Sequence, residues 1–347
     1  MLALLAGALG AYLVLLAPEP DAEALRLADH FLDLYMEPSG RVVRRDQGSD
    51  TVSEGQAYAM LLAAASDDEE RFEKAWTWAK ENLQRPDGLL SYLWARGRVQ
   101  DEQPATDADL DAAHALLVAA ERFGEQRYRA EALRIAQAVM RSETADTALG
   151  PLLVAGPWAR SEPYKVNPSY FSPLALTALA EETGDHRWEE VLRTSYELTA
   201  RLTDKPPALP PDWVELRRPV VLDPVPPPGN AGEAAYGYDA ARVPVRMAAA
   251  CEPEGAELAA RLWPFLGRQG TGLAARYRLD GGALGERHAL SAVAASAAGY
   301  AAGEGAAGER LLERAQALER EFPTYYGAAW VALGRLLLTT ERFQLCS

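Results

Sequence analysis

The sequence has 347 residues, 48% of them hydrophobic, which is enough to form the core of one large domain or two ordinary ones. Its net charge of −15, without a visible basic stripe, argues against nucleic acid or another polyanion as a partner. The four scattered histidines and two cysteines show no metal-ligand spacing, so we expect neither a metal nor a cofactor.

The first apolar segment, Leu2–Ala17, carries no charge and is too short for a comfortable membrane span. Its length suits a signal-peptide core, although no Lys or Arg precedes it. We therefore predict a signal peptide over residues 1–18, or alternatively an uncleaved membrane anchor that would tether the protein. A soluble protein that begins with a buried helix is the third alternative. The first two predict an exported protein, periplasmic or extracellular, whose folded domain spans residues 19–347.

Helical spacing of apolar residues recurs along the rest of the chain. It predicts helices over Ala24–Met36, Gly55–Ala65, Glu70–Leu83, Asp107–Phe123, Tyr128–Arg141, Ser172–Thr183, Trp188–Leu202, Ala240–Ala250, Gly255–Leu266, Ala289–Ala301, Gly308–Glu321 and Tyr326–Thr340. Strand patterns are scarce, and only short apolar pieces such as Val220–Leu222 indicate minor strands. The proline-rich stretch Lys205–Asn230 is predicted to be a long loop inside the domain, and such loops are often functional.

These helices recur in pairs. Twelve helices in six hairpins would form an (α/α)6 barrel, an all-α single domain in which an outer ring of helices wraps an inner ring. An α-solenoid has the same helix count, but it would more often show a repeated motif, and none is visible. We therefore predict the barrel and expect a monomer. Cys251 and Cys346 leave a disulfide open, because sequence alone cannot show pairing.

Four short stretches carry residues suited to chemistry, and the first is Ser53-Glu54-Gly55-Gln56 at the front of an apolar run. Ser53 and Gln56 have the spacing of a capping box, which predicts a helix start. On these residues alone, Glu54 could simply complement the helix dipole in the first turn.

The second stretch, Ala105–Asp111, places three acids at alternating positions ahead of a helix. Capping by Thr106 or Asp107, together with complementing the dipole, would need at most two acids. The third acid therefore favours a further role for this segment.

The third and fourth stretches combine aromatic residues with polar ones. Asn167-Pro168-Ser169-Tyr170 is an aromatic turn that leads into a helix. In Tyr236–Pro244, Asp239 opens a helix and Arg242 follows three residues later on the same helical face. A simple Asp–Arg ion pair would also explain the fourth stretch.

Together, and in this order, the four stretches resemble family-8 glycoside hydrolases, in particular the cellulases encoded beside bacterial cellulose synthases. The resemblance covers about residues 40–343, most of the chain. The segment Ala105–Phe123 (ATDADLDAAHALLVAAERF) follows the family signature and departs from it at Ala112, where the family usually has Ile or Met. Aromatic-rich segments also match the family at Leu90–Trp94, Pro211–Trp213 and Tyr325-Tyr326.

The resemblance implies an (α/α)6 barrel with an open cleft for a β-1,4-linked polysaccharide, and hydrolysis with inversion. It implies that Glu54 is the general acid and that Asp239 is the general base. Asp107 would bind the sugar at the cleavage subsite and favour its distorted ring. Tyr170 and Arg242 would position the attacking water and the base.

Inversion needs one protonated and one ionised carboxyl, about 6.5–9.5 Å apart, so that a water fits between them. We therefore expect burial and the neighbouring Asp107 to raise the pKa of Glu54, against the helix dipole. Arg242 would help to keep Asp239 ionised.

Other candidate substrate-binding residues are acids and aromatic side chains. Asp109 is a candidate partner of the sugar site, and Asp111 is expected to be a solvated or loop-binding acid. Aromatic residues in loops or at helix starts are expected to stack on sugar rings: Trp94, Trp158, Tyr164, Trp213 and Tyr326. Tryptophans inside helical patterns are expected to pack in the core: Trp76, Trp78, Trp188 and Trp263.

The leading hypothesis is an exported inverting endo-β-1,4-glucanase, a cellulase that could be linked to bacterial cellulose or exopolysaccharide production. Within the same family the alternatives are a xylanase or a chitosanase. From another class, a non-catalytic glucan-binding barrel could serve a polysaccharide assembly, but binding alone would not need Glu54, Asp107 and Asp239 together. A purely structural solenoid scaffold would not explain the aromatic turns beside the acids.

Overall fold

The computed structural model describes residues 20–343, so the predictions for Leu2–Ala17 and Cys346 fall outside it. Within residues 20–343 the helices are α1 (Pro20–Tyr35), α2 (Ser53–Ala65), α3 (Glu69–Asn82), α4 (Thr106–Phe123), α5 (Gln126–Ser142), α6 (Pro173–Thr183), α7 (Arg187–Leu202), α8 (Val243–Ala248), α9 (Pro253–Ala260), α10 (Trp263–Gln269), α11 (Ala289–Ala301), α12 (Gly305–Glu321) and α13 (Tyr325–Thr339). None of these helices is both long and apolar enough to cross a bilayer.

An inner ring of six helices forms the core of the described chain. Helices α2, α4, α6, α8, α11 and α13 each pack against the next, and α13 returns to α2, so the ring closes. Their sequences are rich in small and aliphatic residues, and α11 (ALSAVAASAAGYA) carries no charge. Small residues let these backbones approach closely: a Cβ at Gly334 of α13 would lie 2.3 Å from Val293 of α11.

The outer ring consists of amphipathic helices, each packed on an inner partner. Helices α3, α5, α7, α9 and α12 each follow an inner helix and pack against it, and α1 packs on α13. Helix α7 shows the pattern, since it buries Trp188, Val191 and Leu198 and leaves Arg187 and Arg193 in solvent. Burial of such an apolar face against the inner ring stabilises each outer helix. The predicted (α/α)6 barrel is confirmed.

Short antiparallel strands decorate one end of the barrel. They are β1 (Thr51–Val52), β2 (Leu93–Ala95), β3 (Arg98–Asp101), β4 (Thr144–Thr147), β5 (Gly150–Leu153), β6 (Tyr164–Val166), β7 (Trp213–Arg217), β8 (Val221–Val225), β9 (Ala235–Tyr236), β10 (Arg276–Arg278) and β11 (Ala283–Leu284). They form the sheets β1-β2-β3, β4-β5, β6-β7-β8 and β9-β10-β11. Every strand lies in a connection that precedes an inner helix.

The proline-rich stretch is more ordered than predicted. Lys205–Asn230 was expected to be a loop, yet it contains the β7-β8 hairpin, in which Trp213 pairs with Val225 and Arg217 with Val221. Strand β8 lies at the edge of its sheet, where Pro224 is tolerated because an edge strand need not donate every N–H. The minor strand expected at Val220–Leu222 is confirmed for its last two residues, since β8 begins at Val221.

Two helix predictions were wrong, one at a break and one at a start. The helix expected over Gly255–Leu266 is divided into α9 and α10, and Pro264 in the first turn of α10 could not donate to a continuous helix. The helix expected from Ala240 begins with a 3-10 turn, Ala240–Arg242, before α8.

The capping box at α2 does not form. The N-cap residue is Val52, and no side chain caps the helix. Gln56 instead accepts from Val42 N at 3.0 Å and donates to the carbonyls of Gly40 and Ala75. Its amide therefore fixes the chain segment beside α2, because a fully buried amide must find partners in the protein.

Candidate active site

The inner helices all begin at the strand-bearing end of the barrel, because each returns through an outer helix that runs the opposite way. Glu54 and Asp107 are the second residues of α2 and α4. Asp239 directly precedes the 3-10 turn into α8, and Tyr326 is the second residue of α13. Residues far apart in sequence thus meet around one opening.

The Arg242 guanidinium joins the three candidate catalytic acids. Nη1 donates to Glu54 Oε1 at 2.7 Å and to Asp107 Oδ2 at 2.8 Å, and Nη2 donates to Asp239 Oδ1 at 3.0 Å. The Arg242 side chain is 1% exposed, so this cation offsets negative charge where solvent screening is weak. The predicted Asp239–Arg242 pair is therefore real, and Arg242 also contacts two further acids.

Tyr58 is a member of the site that the sequence reasoning missed. Its hydroxyl donates a short hydrogen bond to Glu54 Oε1 and accepts from Trp330 Nε1 at 3.1 Å. Tyr58 lies four residues after Glu54, and side chains at this spacing are neighbours on a helix. That spacing was the available signal. Both described hydrogen bonds of the Glu54 carboxyl use Oε1, and neither uses Oε2.

Asp107 is almost fully buried, at 3% exposure. Burial raises the pKa of its carboxyl to about 7; Arg242 opposes the rise, and Glu54 adds to it. The predicted capping role is not seen, since Asp107 Oδ1 accepts only from the adjacent Ala108 N, at 3.0 Å. Near neutral pH the Asp107 carboxyl therefore takes up a proton more readily than an exposed aspartate would.

Asp239 is held by three donors from three segments. Oδ2 accepts from Asn167 Nδ2 at 2.9 Å and from Trp213 Nε1 at 3.0 Å, and Oδ1 accepts from Arg242. Donors aimed at one carboxylate stabilise its negative charge and fix its orientation. Asn167 was not predicted as a site residue, although it opens the third sequence motif.

The acids lie at the base of a cleft of about 490 Å³. Its aromatic wall consists of Trp158, Trp213 and Tyr170, with ring centroids 6.3 Å apart for Trp158–Trp213 and 6.0 Å for Tyr170–Trp213. Trp158 is 39% exposed, so its ring is available to a ligand. The lining residues are Glu54, Tyr92, Asp101, Gln103, Pro104, Ala105, Asp107, Ala155, Trp158, Tyr170, Trp213, Pro227, Pro228, Asp239 and Arg242.

Comparison with known proteins identifies the family. The model described as "Glycosyl hydrolases family 8" matches residues 22–336. The chain belongs to glycoside hydrolase family 8. The resemblance predicted from the four motifs is confirmed.

Similar family-8 proteins include enzymes named as endoglucanases. A probable endoglucanase of Novacetimonas hansenii is 34% identical over 236 residues, 66% of this chain and 67% of that protein. An endoglucanase of Pseudomonas fluorescens (strain SBW25) is 31% identical over 204 residues, 55% of this chain and 51% of that protein. The solved structure of endo-β-1,4-glucanase CMCax from Acetobacter xylinum has a TM-score of 0.80 and 29% identity, covering 93% of this chain and 99% of that one.

The remaining aromatic predictions for this family-8 site have mixed outcomes. Tyr326 donates to the Tyr238 carbonyl at 3.3 Å, and the Tyr238 side chain is exposed. Trp94 lies outside the cleft lining, with Arg41 4.3 Å above its ring. Tyr164 was wrongly expected to stack on sugar, because its ring is buried and its hydroxyl donates to the Asp146 carbonyl at 3.3 Å. The core placement of Trp76, Trp78 and Trp188 is confirmed.

Two acids of the second motif are buried away from the cleft. Asp109, expected to support substrate binding, is fully buried, and its Oδ1 accepts from Leu90 N at 2.8 Å. Asp111, expected to be solvated, is buried in a two-bond ion pair with Arg246 at 2.7 and 2.8 Å. Both expectations were wrong because α4 belongs to the inner ring, where every face of the helix is covered.

Asp212 is a further missed acid, immediately before Trp213. Its Oδ1 accepts from Gly237 N at 3.0 Å and from Ala240 N at 2.7 Å. Burial raises the pKa of Asp212 to about 7, and the nearby Asp239 charge adds to the rise.

Proposed function

We propose that this family-8 protein is an inverting endo-β-1,4-glucanase that hydrolyses cellulose-like chains. One observation carries the proposal: Glu54 and Asp239 face one cleft, bridged by Arg242, and their immediate surroundings differ. Asp239 accepts from three donors, whereas Glu54 keeps one oxygen free of described hydrogen bonds and lies beside buried Asp107, whose pKa is raised. Such asymmetry suits one acid and one base.

The proposed reaction uses each group at a defined place. Glu54 Oε2 protonates the glycosidic oxygen as the bond to the departing sugar breaks. Asp239 takes a proton from a water that attacks the opposite face of the sugar, at the side of Oδ1 that Arg242 does not occupy. Asp107 hydrogen-bonds the distorted ring between them, and Trp158 and Trp213 offer faces for further rings.

The geometry allows this reaction. Because both carboxyls bond to nitrogens of one planar guanidinium, their nearest oxygens are at most about 8 Å apart. This limit admits the separation of inverting glycosidases, about 6.5–9.5 Å, and also the shorter 5–5.5 Å of retaining ones. The anomeric form of the first product therefore has to be measured: NMR should show the α-anomer first if a β-linkage is cleaved with inversion.

The activity test compares four polymers. The purified protein is given carboxymethylcellulose, mixed-linkage β-glucan, xylan and chitosan, with Glu54→Gln and Asp239→Asn as loss variants. Glu70→Gln, an exposed acid on α3, is the matched control. Reducing-sugar release from the β-1,4-glucans, lost in both site variants and kept in the control, is the expected result. A rapid fall in viscosity would mark endo cleavage.

Chitosan is the second candidate substrate because acids outnumber cations in the cleft. Glu54, Asp101, Asp107 and Asp239 line it, against the single guanidinium of Arg242. This imbalance would attract glucosaminium groups. If reducing sugar is released faster from chitosan than from the glucans, the proposed function becomes that of a chitosanase. A folded protein that binds a glucan but cleaves none of the four polymers would support the glucan-binding alternative instead.

We also infer export, since Leu2–Ala17 has the composition of a signal-peptide core. N-terminal sequencing of the protein from medium, periplasm and membranes would test this. Loss of residues 1–18 supports a signal peptide, an intact N-terminus in membranes supports an anchor, and an intact N-terminus in the cytosol refutes export.

A further inference from the structure

Asp212 lies behind the proposed base and contacts the backbone on both sides of it. Asp212 Oδ1 accepts hydrogen bonds from Gly237 N and Ala240 N. Gly237 lies two residues before Asp239, and Ala240 lies one residue after it. The Asp212 N–H donates to the Ala235 carbonyl at 2.8 Å, so Asp212 is itself fixed to β9. The side chain is therefore a clamp between a strand and the turn that presents Asp239.

The clamp is closely packed. Asp212 is 8% exposed, and a Cβ at Gly237 would lie 2.2 Å from Asp212 Oδ2. Only glycine at position 237 leaves room for the carboxyl. The turn and the acid therefore fit each other by shape as well as by hydrogen bonding.

The clamp adds a backbone restraint that the side-chain contacts of Asp239 do not supply, beside the bond from Arg242 N to the Asp239 carbonyl at 2.9 Å. Asn167, Trp213 and Arg242 hold the carboxylate oxygens, but none of these bonds reaches the main chain of residue 239. Asp212 holds the main chain on both sides of residue 239, at Gly237 and Ala240, and its neighbour Trp213 holds the Asp239 carboxylate. The adjacent residues Asp212 and Trp213 thus fix the backbone around Asp239 and the position of its carboxylate.

We propose that Asp212 is a positioning residue for the general base, acting by holding the turn that carries Asp239. The proposal rests on the proposed hydrolytic function. The charged or titratable groups that face Asp212 are Asp239, Arg242 and the Tyr236 hydroxyl. The role needs only an acceptor at Oδ1, so an amide should serve nearly as well as the carboxyl.

Three variants, assayed on the polymer that the protein cleaves fastest, test the proposal, and a fourth variant is their control. Asp212→Ala removes the acceptor, and a displacement of the base by about 1 Å should lower kcat about 100-fold while KM changes little. Asp212→Asn keeps the acceptor and should stay within about threefold of the native kcat. Gly237→Ala forces the carboxyl out of the turn without removing a polar group, and should lower kcat as Asp212→Ala does.

Asp68→Ala is the matched control. Asp68 accepts from Arg71 N at 2.9 Å at the other end of the barrel, so its loss should lower the melting temperature and leave kcat unchanged. A folded Asp212→Ala or Gly237→Ala variant with native kcat would overturn the proposal. So would an Asp212→Asn variant as impaired as Asp212→Ala. If Asp212→Ala does not fold, the contrast between Asp212→Asn and Gly237→Ala decides.

Crystal structures separate this proposal from the proposed function. The Asp239 carboxylate should move by more than about 0.5 Å in Asp212→Ala and remain in place in Asp212→Asn. An unmoved carboxylate in Asp212→Ala refutes positioning whether or not a substrate is known. A native protein inactive on every polymer, with the carboxylate displaced as expected, would refute the hydrolase and keep the clamp.

Discussion

Gly55, next to the proposed acid, is the position where one methyl group should do most damage. A Cβ there would lie 1.8 Å from the Tyr325 hydroxyl oxygen and 2.9 Å from Cζ of the same ring. Tyr325 is 2% exposed and lies against Phe31 and Tyr35, with ring centroids 5.8 and 5.5 Å away. The ring has no open space to enter, so in Gly55→Ala the start of α2 must move.

The expected loss has two parts. Overpacking a filled core costs about 1–3 kcal/mol, and the buried ring places this site near 3 kcal/mol. At roughly 2–4 °C per kcal/mol, or less for a chain this long, the melting temperature should fall by about 5–10 °C. Glu54 moves with the helix start, so kcat should fall about 100-fold.

A double variant tests the cause. The Tyr325 hydroxyl is buried without a hydrogen-bond partner among the described residues, so Tyr325→Phe should cost little alone. Combined with Gly55→Ala it removes the 1.8 Å contact but not the 2.9 Å one, and should recover about 1 kcal/mol. Urea unfolding and kcat are measured for all three variants.

Gly305→Ala in the first turn of α12 is the control, because its Cβ would meet nothing closer than 3.9 Å. It should be neutral or slightly stabilising. Native stability and activity in Gly55→Ala, or no recovery in the double variant, would refute the reasoning.

Three further predictions concern titration and buried charge. Activity should fall as the pH rises through about 7, where buried Asp107 loses its proton, and a kcat/KM profile would show this. Burial raises the pKa of Glu319 to about 7, so its contribution to stability is lost as the pH rises through that value. Glu319→Gln should therefore match the native protein near pH 4 and exceed its free energy of unfolding at pH 8 by about 2–3 kcal/mol, measured with urea. Asp111→Ala should cost about 3–5 kcal/mol because it leaves Arg246 buried and unpaired, whereas Asp111→Leu with Arg246→Met should cost less in the same assay.

Each of these has a contrary outcome. Full activity at pH 9 would mean that the acid cluster needs no proton. An equal pH dependence in Glu319→Gln would remove Glu319 as a source of the effect. Equal losses in the single and double variants would show that the cost at Asp111 is not that of a stranded guanidinium.

The helices could be predicted because the spacing of apolar residues that indicates a helix lies within each helical segment. Apolar spacing places Ala289–Ala301 and Trp188–Leu202 within a residue of the observed limits. The three catalytic candidates were found because each stands in a motif at a helix start. A motif fixes residue order, and the closed ring of inner helices then brings the motifs together.

The failures at Asp111, at Asp212 and over the strands share one cause, which is that a partner distant in sequence decides the outcome. From its local sequence Asp111 resembles a surface acid, because its partner Arg246 lies 135 residues later in the chain. Asp212 accepts N–H groups that lie 25 and 28 residues away. The strands are two to five residues long, too short for an alternating pattern to show, and are set by pairing.

The two ends of the barrel are built differently, and this has an evolutionary consequence. Turns from inner to outer helices are short, such as residues 66–68 and 124–125, while the returning connections carry all the strands and border the cleft. New sequence in the returning connections can reshape the groove for another polymer without disturbing the packing of the ring. The packed helices thus keep the domain stable while the connections that border the cleft change in sequence. One scaffold can therefore acquire a new cleft shape through changes in its loops alone.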